Sequence, residues 1–516
     1  MDQDNMKDLN YLFSHLHAAS LGRKDAPFAE LATDNILTYA SLFERVERLA
    51  LTLVRLGVAP GDRVAAQIEK SISAIELYLA TVMAGGVFLP LNTAYTSDEM
   101  RYFLDDAEPA FLICDPRNES SLRLLSADVR GRQVFTLGSD GSGSLTHEVA
   151  ATPPGRFDSV ARGKDDLAAM LYTSGTTGRS KGAMLSHGNL VSNAITLAKV
   201  WHFGPSDVLI HALPIFHTHG LFVATNVVLV SGASMIFHAN FDASAIVAAM
   251  PRATVLMGVP TFYVRLLDQS GLTPEATAGM RLFISGSAPL LGETHFRWQA
   301  ATGHSILERY GMTETNMNTS NPYDGERRPG SVGFPLPEVE IRITDGSSCA
   351  SLPQGEIGAI EVKGPNVFLG YWQMPEKTAG ELREDGFFKT GDIGVIDKDG
   401  YVSIVGRSKD LIISGGFNVY PKEVEESIDE IPGVRESAVI GVAHLDFGEA
   451  VVAVVVIEAG ARLDERSIQI PLKGKLARYK QPKAIFFATE LPRNTMGKVQ
   501  KNLLRDTYKN TFACLS

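Results

Sequence analysis

Residues 172–182, which read YTSGTTGRSKG, bring three glycines, several hydroxyl side chains and one lysine into eleven positions. Glycine lets the backbone approach a ligand closely, and hydroxyl, N–H and ammonium groups are donors that suit phosphate oxygens. The spacing is not that of a Walker A loop, because Ser180 stands five residues after Gly175. Since the apolar run Leu167–Leu171 comes directly before it, the segment predicts a phosphate-binding loop that leaves a strand. A flexible surface turn is the alternative that this composition also permits.

Five further strings contain charged, aromatic or glycine residues of the kinds that nucleotide and thioester chemistry needs. They are His211–Gly220 (HALPIFHTHG), Tyr310–Glu314 (YGMTE), Gly386–Asp392 (GFFKTGD), Gly406–Glu425 (GRSKDLIISGGFNVYPKEVE) and Pro492–Lys498 (PRNTMGK). Together with the glycine loop, they resemble the signatures of the adenylate-forming superfamily, which includes acyl-CoA synthetases, luciferases and the adenylation domains of peptide synthetases. The six strings stand in the family's order and span nearly the whole chain. The resemblance implies an enzyme that uses ATP, Mg2+ and CoA.

Activation of a carboxylic acid by ATP needs cations and amide donors, because charge develops on several phosphate oxygens as pyrophosphate leaves. The resemblance implies a catalytic set made of Lys498, Glu314 and His217. In relatives, the ammonium group at the Lys498 position bridges the acid and the α-phosphate, and Mg2+ would lie at Glu314 and Thr173. The nucleotide contacts implied by the resemblance are Thr173, Ser174, Gly175, Thr176, Thr177, Gly178, Lys181, Glu308, Tyr310, Gly311, Met312, Thr313, Asp392 and Arg407. A solvated lysine and a turn aspartate are the alternatives for Lys498 and Asp392.

Transfer of the activated acid to CoA needs a second arrangement, in which the adenylate meets a thiol while water is excluded. In relatives the C-terminal domain rotates between the two half-reactions, and Lys409 matches the hinge position. The rotation would bring in Ser414, Gly415 and Gly416, where two glycines leave room for the pantetheine arm of CoA. A plain turn before a strand is the alternative for this segment.

Arg265 is the residue that bears most directly on the choice of acid. It lies in the string GVPTFYVRLL, which lines the substrate pocket in the superfamily and is apolar in many relatives. A guanidinium in an enclosed pocket needs a carboxylate and can hold one bidentately, so Arg265 predicts a dicarboxylic acid. The other substrate-binding residues that we expect are His211, Ser285, Gly286 and Ser287.

The strings RLFISGSAPLL and ERYGMTETNMNTSNPYDGERRPG resemble the malonate-activating group of the superfamily. The resemblance implies malonate as the substrate, with methylmalonate accepted to some extent. If Arg265 instead lies on the surface of an amphipathic helix, a medium-chain or aromatic acid becomes the better candidate.

Alternating helical and strand patterns from about residue 38 onward are typical of α/β architecture with mainly parallel sheets. Tyr39–Leu56 has one apolar helical stripe, followed by Gly57 as the expected C-terminal cap. The last hundred residues have their own β-branched runs and amphipathic segments, which predict a compact α+β unit. We therefore expect a large N-terminal domain of several subdomains over residues 1–408, and a smaller mobile C-terminal domain over residues 409–516.

Composition excludes several other functions. The 516 residues have a formal net charge of −11, which argues against binding to nucleic acid or anionic lipid. The three cysteines show no metal-ligand spacing, and no convincing membrane span or export signal is present. These observations favour a cytoplasmic enzyme with small-molecule substrates. Relatives are often acetylated at the position of Lys498, which makes a lysine acetyltransferase and deacetylase possible partners.

Three rival classes are an adenylation enzyme for a carrier protein, a luciferase-like oxygenase and an inactive binding scaffold. About eighteen residues follow Lys498 in this sequence, too few for a carrier domain, and the presence of that lysine argues against a scaffold. Dependence on CoA and on added acid would separate these classes.

Overall fold

The computed structural model describes residues 10–31, 35–126, 132–173, 180–346, 350–415, 417–494 and 497–512. Its helices are α1 Tyr11–Ala18, α2 Tyr39–Leu56, α3 Ile72–Met83, α4 Ser97–Ala107, α5 Glu119–Ser126, α6 Ser144–Ala151, α7 His187–Val200, α8 Asn226–Ser231, α9 Ala243–Ala249, α10 Pro260–Leu267, α11 Gly292–Thr302, α12 Pro375–Glu381, α13 Pro421–Asp429, α14 Glu465–Lys475 and α15 Lys501–Tyr508. A π-helix over His219–Thr225 precedes α8.

The strands are β1 Pro27–Leu31, β2 Ile36–Thr38, β3 Arg63–Gln67, β4 Val87–Pro90, β5 Phe111–Cys114, β6 Gln133–Thr136, β7 Leu167–Thr173, β8 Lys181–Ser186, β9 Val208–His211, β10 Ser234–Phe237, β11 Val255–Gly258, β12 Leu282–Ser285, β13 Leu307–Met312, β14 Asn316–Ser320, β15 Phe334–Pro335, β16 Glu340–Thr344, β17 Gly358–Lys363, β18 Gly370–Tyr371, β19 Phe388–Ile396, β20 Val402–Arg407, β21 Ile412–Ser414, β22 Phe417–Val419, β23 Val434–His444, β24 Gly448–Ile457 and β25 Ala484–Ala488. They form four sheets.

Two mainly parallel sheets form the centre of the larger part of the chain. One has seven strands in the order β18-β8-β7-β4-β3-β5-β6, and the other has nine in the order β15-β14-β13-β12-β11-β9-β10-β1-β2. Strands β9 to β13 of the nine-stranded sheet pair in parallel, so their carboxyl ends meet along one edge. In open α/β sheets, ligands bind outside such an edge.

Helix α2 shows how local sequence produces these layers. The Thr38 side chain accepts a hydrogen bond from the Ser41 N–H at the start, and Gly57 closes the end with a φ of 108°. Leu42, Val46 and six more of its residues are buried against the core. The helix predicted over Tyr39–Leu56 is therefore confirmed with the same bounds.

Two smaller units complete the fold. An antiparallel sheet in the order β16-β17-β19-β20 follows the nine-stranded sheet in sequence. The last unit consists of β21 to β25 with α13, α14 and α15, and it has its own apolar core around Val439, Val451 and Val455. This arrangement confirms the predicted fold class of a large α/β part with mainly parallel sheets and a smaller α+β unit.

The chain passes from the antiparallel sheet to the last unit through a short 3-10 turn, Ser408–Asp410, between β20 and β21. Lys409 is exposed in this turn. The domain boundary between residues 408 and 409, and the hinge role of Lys409, stay predictions. Within the described residues, no helix is both long and apolar enough to cross a bilayer.

Candidate active site

The carboxyl ends of β12 and β13 bring a guanidinium group against a glycine. Arg309 in β13 is 3% exposed, and a Cβ atom built on Gly286 would lie 2.4 Å from the Arg309 Cζ atom. No side chain larger than hydrogen fits at position 286 while Arg309 keeps this position. Gly286 therefore acts by leaving room for the guanidinium.

Among the residues that the structure describes, no acidic side chain pairs with Arg309. Its Nε and Nη2 atoms are buried and have no hydrogen-bond partner among the described residues. Burial lowers the pKa of the Arg309 guanidinium, yet the group stays charged at neutral pH. A buried and unpaired cation is costly, so this site calls for an anionic ligand.

The residues on either side of Gly286 are neutral and polar. The Ser285 hydroxyl is buried and has no partner in the described part of the chain, and Ser287, with a φ of 72°, places its Oγ 3.2 Å from Nδ1 of His219. Burial, followed by the nearby Arg309 charge, lowers the pKa of His219, which is therefore neutral at pH 7. Three predicted residues in sequence, Ser285, Gly286 and Ser287, thus meet at Gly286 a cation that the sequence reasoning missed.

His217, the predicted catalytic histidine, lies two residues before His219. Its Nε2 atom is buried and has no partner among the described residues, and burial lowers its pKa to about 4. The imidazole is therefore neutral in the working range of pH. Its catalytic role stays a prediction.

Both ring nitrogens of His211 have partners within the protein, and its part in substrate binding stays a prediction. Its Nδ1 lies 3.1 Å from Nζ of Lys70, and its Nε2 lies 3.0 Å from the Gly220 carbonyl oxygen. Lys70 also donates to the carbonyl oxygens of His211 and His238 at 2.8 and 2.7 Å. His211 therefore contacts the π-helix through the Gly220 carbonyl oxygen, and both of its ring nitrogens already have hydrogen-bond partners.

Arg265 is not enclosed, so the expectation of a buried guanidinium at this position is wrong. It is exposed on α10, where Tyr263 and Leu266 are the buried residues, and its guanidinium lies 5.8 Å from the centre of the Phe241 ring. The helical period turns position 265 outward, which was the alternative interpretation. Any part that Arg265 plays in substrate binding stays a prediction.

Among the predicted nucleotide contacts, the Asp392 carboxylate bonds both Arg407 and Tyr310. Asp392 is 2% exposed, its Oδ1 pairs with Nε of Arg407 at 2.6 Å, and its Oδ2 accepts a hydrogen bond from the Tyr310 hydroxyl. Strands β19 and β20 set this pair, because Asp392 and Arg407 stand opposite each other in the ladder. The predicted adenine and ribose contacts Tyr310, Asp392 and Arg407 therefore lie together.

The strand that contains Tyr310 continues into a tight backbone contact. A Cβ atom on Gly311 would lie 2.0 Å from the Asn316 carbonyl oxygen, so only glycine permits this approach of β14. Met312 and Thr313 follow at the strand end and are partly exposed. Glu308 lies on the buried side, where its Oε1 accepts a bond from the Gly330 N–H and burial raises its pKa to about 7.

Glu314, the predicted metal contact, is 6% exposed beyond the end of β13. Its Oε1 lies 3.1 Å from the Tyr371 hydroxyl, and burial raises its pKa, so a nearby cation stabilises the ionised form. Thr173 ends β7 opposite Lys181, whose charge lies near enough to lower the Glu314 pKa in part. A carboxylate and a hydroxyl are oxygen donors that fit Mg2+ brought in by nucleotide phosphates.

Lys498 reaches this region from the last unit of the fold. Its loop is closed by the Asn494 side chain, which accepts from the Lys498 N–H at 3.0 Å. Gly497 lies against α10, since a Cβ atom there would be 3.0 Å from the Thr261 side chain. Surrounding protein, followed by the Arg407 charge, lowers the Lys498 pKa to about 8, although part of the side chain is open to solvent.

The remaining predicted residues lie apart from this cluster or beyond the described ranges. Ser414 is buried in β21, and Gly415, with a φ of 59°, is exposed and donates its N–H to the Phe447 carbonyl oxygen at 2.8 Å. Five predicted nucleotide contacts and one predicted CoA contact lie outside the described residues, namely Ser174, Gly175, Thr176, Thr177, Gly178 and Gly416.

The family comparisons agree with these motifs. Residues 16–372 match the family of AMP-binding enzymes, and residues 423–498 match the AMP-binding enzyme C-terminal domain. The crystal structure of ATP-bound MatB from Rhodopseudomonas palustris has a TM-score of 0.95 and 60% identity, covering 98% of this chain and 100% of that chain. The apo structure of the same protein has a TM-score of 0.85 at the same identity and coverage.

Two enzymes are similar over most of their length. A malonate–CoA ligase of Arabidopsis thaliana is 34% identical over 487 residues, which cover 88% of this chain and 79% of that protein. A feruloyl-CoA synthase from an Amycolatopsis species is 36% identical over 480 residues, which cover 91% of this chain and 93% of that protein.

Proposed function

The chain belongs to the family of AMP-binding enzymes, and we propose that it joins malonate to CoA with the conversion of ATP to AMP and pyrophosphate. In the first step, one malonate oxygen attacks the α-phosphorus of ATP and pyrophosphate leaves. In the second step, the CoA sulfur attacks the acyl carbon, its proton is lost, and AMP leaves. Mg2+, bound at Glu314 and Thr173, would neutralise charge on the polyphosphate.

The observation that carries the choice of acid is the buried, unpaired guanidinium of Arg309. Malonate has a second carboxylate one carbon away from the one that reacts, and this group would pair with Arg309 beside Ser285 and Ser287. Ferulate, the acid in the name of one relative, has no second carboxylate and would leave the guanidinium without a counter-charge. The proposal therefore favours the malonate–CoA ligase relative as the guide to function.

A panel of acids tests this proposal. We expect thioester formation with malonate to exceed that with acetate, butyrate or ferulate by at least about a hundredfold in kcat/KM, because an unpaired buried charge costs about 3–5 kcal/mol. Methylmalonate should be used within about a hundredfold of malonate, since one methyl group is worth about 1–3 kcal/mol. Equal use of butyrate and malonate would contradict the proposal. A preference for ferulate would support the aromatic-acid alternative instead.

Lys498 is the group that we propose to bridge the attacking acid and the α-phosphate. Its ammonium group lies near Asp392 and Arg407, and the higher TM-score to the ATP-bound than to the apo relative agrees with an arrangement suited to adenylation. Thioester formation would follow rotation of the C-terminal domain about Lys409, which would remove Lys498 and bring Ser414, Gly415 and Gly416 towards the adenylate.

The pH dependence of the first half-reaction should report the protonation of Lys498. Its pKa is about 8, and only the ammonium form can stabilise negative charge, so the ATP–pyrophosphate exchange rate should fall as pH rises above about 8. Thioester formation from supplied malonyl-adenylate should not fall over the same range, because the CoA thiol becomes a better nucleophile as it ionises. The residual exchange of Lys498→Arg should extend to higher pH. If the exchange rate of Lys498→Arg falls over the same pH range as that of the natural enzyme, the titrating group is not Lys498.

We propose that the enzyme works in the cytoplasm and that acetylation of Lys498 controls it. Acetylation would remove the positive charge and stop adenylation. Part of the Lys498 side chain is open to solvent, which suits access by an acetyltransferase. Intact mass before and after deacetylase treatment, compared with the recovery of exchange activity, tests this regulation.

A further inference from the structure

Lys70 connects the two mainly parallel sheets of the larger part of the chain. It follows β3 of the seven-stranded sheet, and its side chain reaches the carboxyl ends of β9 and β10 in the nine-stranded sheet. There Nζ donates to the carbonyl oxygens of His211 and His238 at 2.8 and 2.7 Å, and it lies 3.1 Å from Nδ1 of His211. No sequence motif pointed to Lys70.

The contacts of the other ring nitrogen determine which nitrogen of His211 carries the proton. Burial, followed by the nearby Lys70 charge, lowers the pKa of His211, so the imidazole is neutral and has one N–H. Nε2 lies 3.0 Å from the Gly220 carbonyl oxygen, which can only accept a hydrogen bond. The proton therefore belongs on Nε2, because two lone pairs would otherwise face each other at this distance. Nδ1 is then an acceptor.

An acceptor at Nδ1 in turn determines the charge of Lys70. Two carbonyl oxygens and Nδ1 converge on Nζ, and only the ammonium form of lysine has three donors. The centre of the Phe237 ring lies 4.6 Å from Nζ, and the face of an aromatic ring attracts a cation. Burial lowers the pKa of Lys70, and these four contacts favour the charged form against that effect.

His211 links Lys70 to the acid pocket. Its Nε2 atom contacts the carbonyl oxygen of Gly220, which lies in the first turn of the π-helix. The same turn begins with His219, whose Nδ1 lies 3.2 Å from Oγ of Ser287. A continuous path of polar contacts and backbone therefore leads from Lys70 to the place where the second carboxylate of the acid would bind.

We propose that Lys70 is a positioning residue for the acid: its ammonium group sets the Nε2–H tautomer of His211, and His211 holds the turn of the π-helix that presents His219 to Ser287. Lys70 is not a catalytic residue in this scheme, because it acts through His211. The inference rests on the proposed function for the identity of the acid, whereas the tautomer of His211 does not depend on any substrate.

The first measurement uses the unsubstituted enzyme without substrate. Nitrogen NMR of enzyme whose histidine rings are isotopically labelled distinguishes the Nε2–H from the Nδ1–H tautomer, and His211→Gln identifies the His211 signals by their loss. We expect the Nε2–H form at neutral pH. The Nδ1–H form would overturn the inference, because Lys70 would then be an acceptor for His211. This measurement decides the matter even if variants of Lys70 are unstable.

The second measurement compares the KM values of the two substrates in Lys70→Met. Methionine keeps an apolar stem as far as the Cε position of lysine and removes the ammonium group. We expect KM for malonate to rise about tenfold, the effect of losing one hydrogen bond to a charged group, whereas KM for ATP should change by less than about twofold. An equal rise of both KM values, or no change in either, would contradict the positioning role.

Lys199→Met is the matched control, because it is the same substitution at an exposed position of α7. It should leave both KM values within about twofold of those of the natural enzyme. Thermal unfolding of each variant checks that the fold is retained.

A double substitution tests the route through His211. In His211→Phe, the further change Lys70→Met should raise KM for malonate by less than about threefold, since the path to the π-helix is already broken. A further tenfold rise would show that Lys70 acts by another route. If the natural enzyme forms no thioester from malonate, the proposed function fails, while the NMR measurement still tests the link between Lys70 and His211.

Discussion

Lys498→Ala is expected to reduce ATP–pyrophosphate exchange by at least about a hundredfold, because the group that stabilises charge between the acid and the α-phosphate would be lost. Thioester formation from supplied malonyl-adenylate should keep most of its rate, since the proposed rotation removes Lys498 from the site before that step. The measurement compares the two half-reactions on the same preparation.

Loss of folding stability should not explain a loss of activity in Lys498→Ala. The Lys498 side chain is partly open to solvent, and the buried Asp392 keeps its pairing with Arg407, so truncation of Lys498 should change the unfolding temperature by little. The control is Lys501→Ala on α15, whose lysine pairs with Glu425 at 2.6 Å within the last unit and faces no proposed substrate. A parallel loss of both half-reactions in Lys498→Ala would refute the assigned role.

Arg309→Met is expected to reduce kcat/KM for malonate by about 10²- to 10³-fold, because the second carboxylate would lose its buried cation. The same change should leave butyrate no worse than before, so the ratio of the two acids should collapse. Methionine keeps an apolar stem as far as the Nε position of arginine and removes the guanidinium carbon and terminal nitrogens with their charge and donors. Steady-state kinetics with both acids at saturating ATP and CoA measure this ratio.

Arg265→Met is the matched control for that experiment. Within the described ranges, the exposed Arg265 side chain has only a ring contact with Phe241, so its loss should reduce kcat/KM for malonate by less than about tenfold. A larger loss of malonate selectivity in Arg265→Met than in Arg309→Met would return the role to α10 and overturn our account of the acid pocket.

Local sequence was sufficient to predict many elements and the main motifs. The capping residues and apolar stripe of α2 set its two ends, and the β-branched runs near residues 437–442 and 450–457 correspond to β23 and β24. Such signals work because a helix or strand is largely decided by nearby residues and by one periodicity. The predicted order of strings also led to a family that the comparisons confirm.

The contents of the acid pocket depended on contacts that no local pattern contains. Arg309 stands beside Tyr310 in a quoted string, but its closeness to Gly286 arises only because β12 and β13 are parallel neighbours. The error at Arg265 is of the opposite kind, because here the local pattern was sufficient. The helical period that buries Tyr263 and Leu266 already places Arg265 at the surface. The Tyr371 hydroxyl lies 3.1 Å from Glu314, a contact that only the folded chain creates.

The fit between Arg309 and Gly286 also constrains how acid preference can evolve. An alanine at position 286 would force the Arg309 guanidinium to move, whereas loss of the arginine leaves a void that a larger residue at 286 could fill. The effects of the two substitutions should therefore be strongly non-additive, because a larger residue at position 286 is tolerated only after Arg309 has been lost. Lineages that switch to uncharged acids should lose the arginine at position 309 first and gain a larger residue at position 286 afterwards. An ancestral intermediate should have a small residue at both positions.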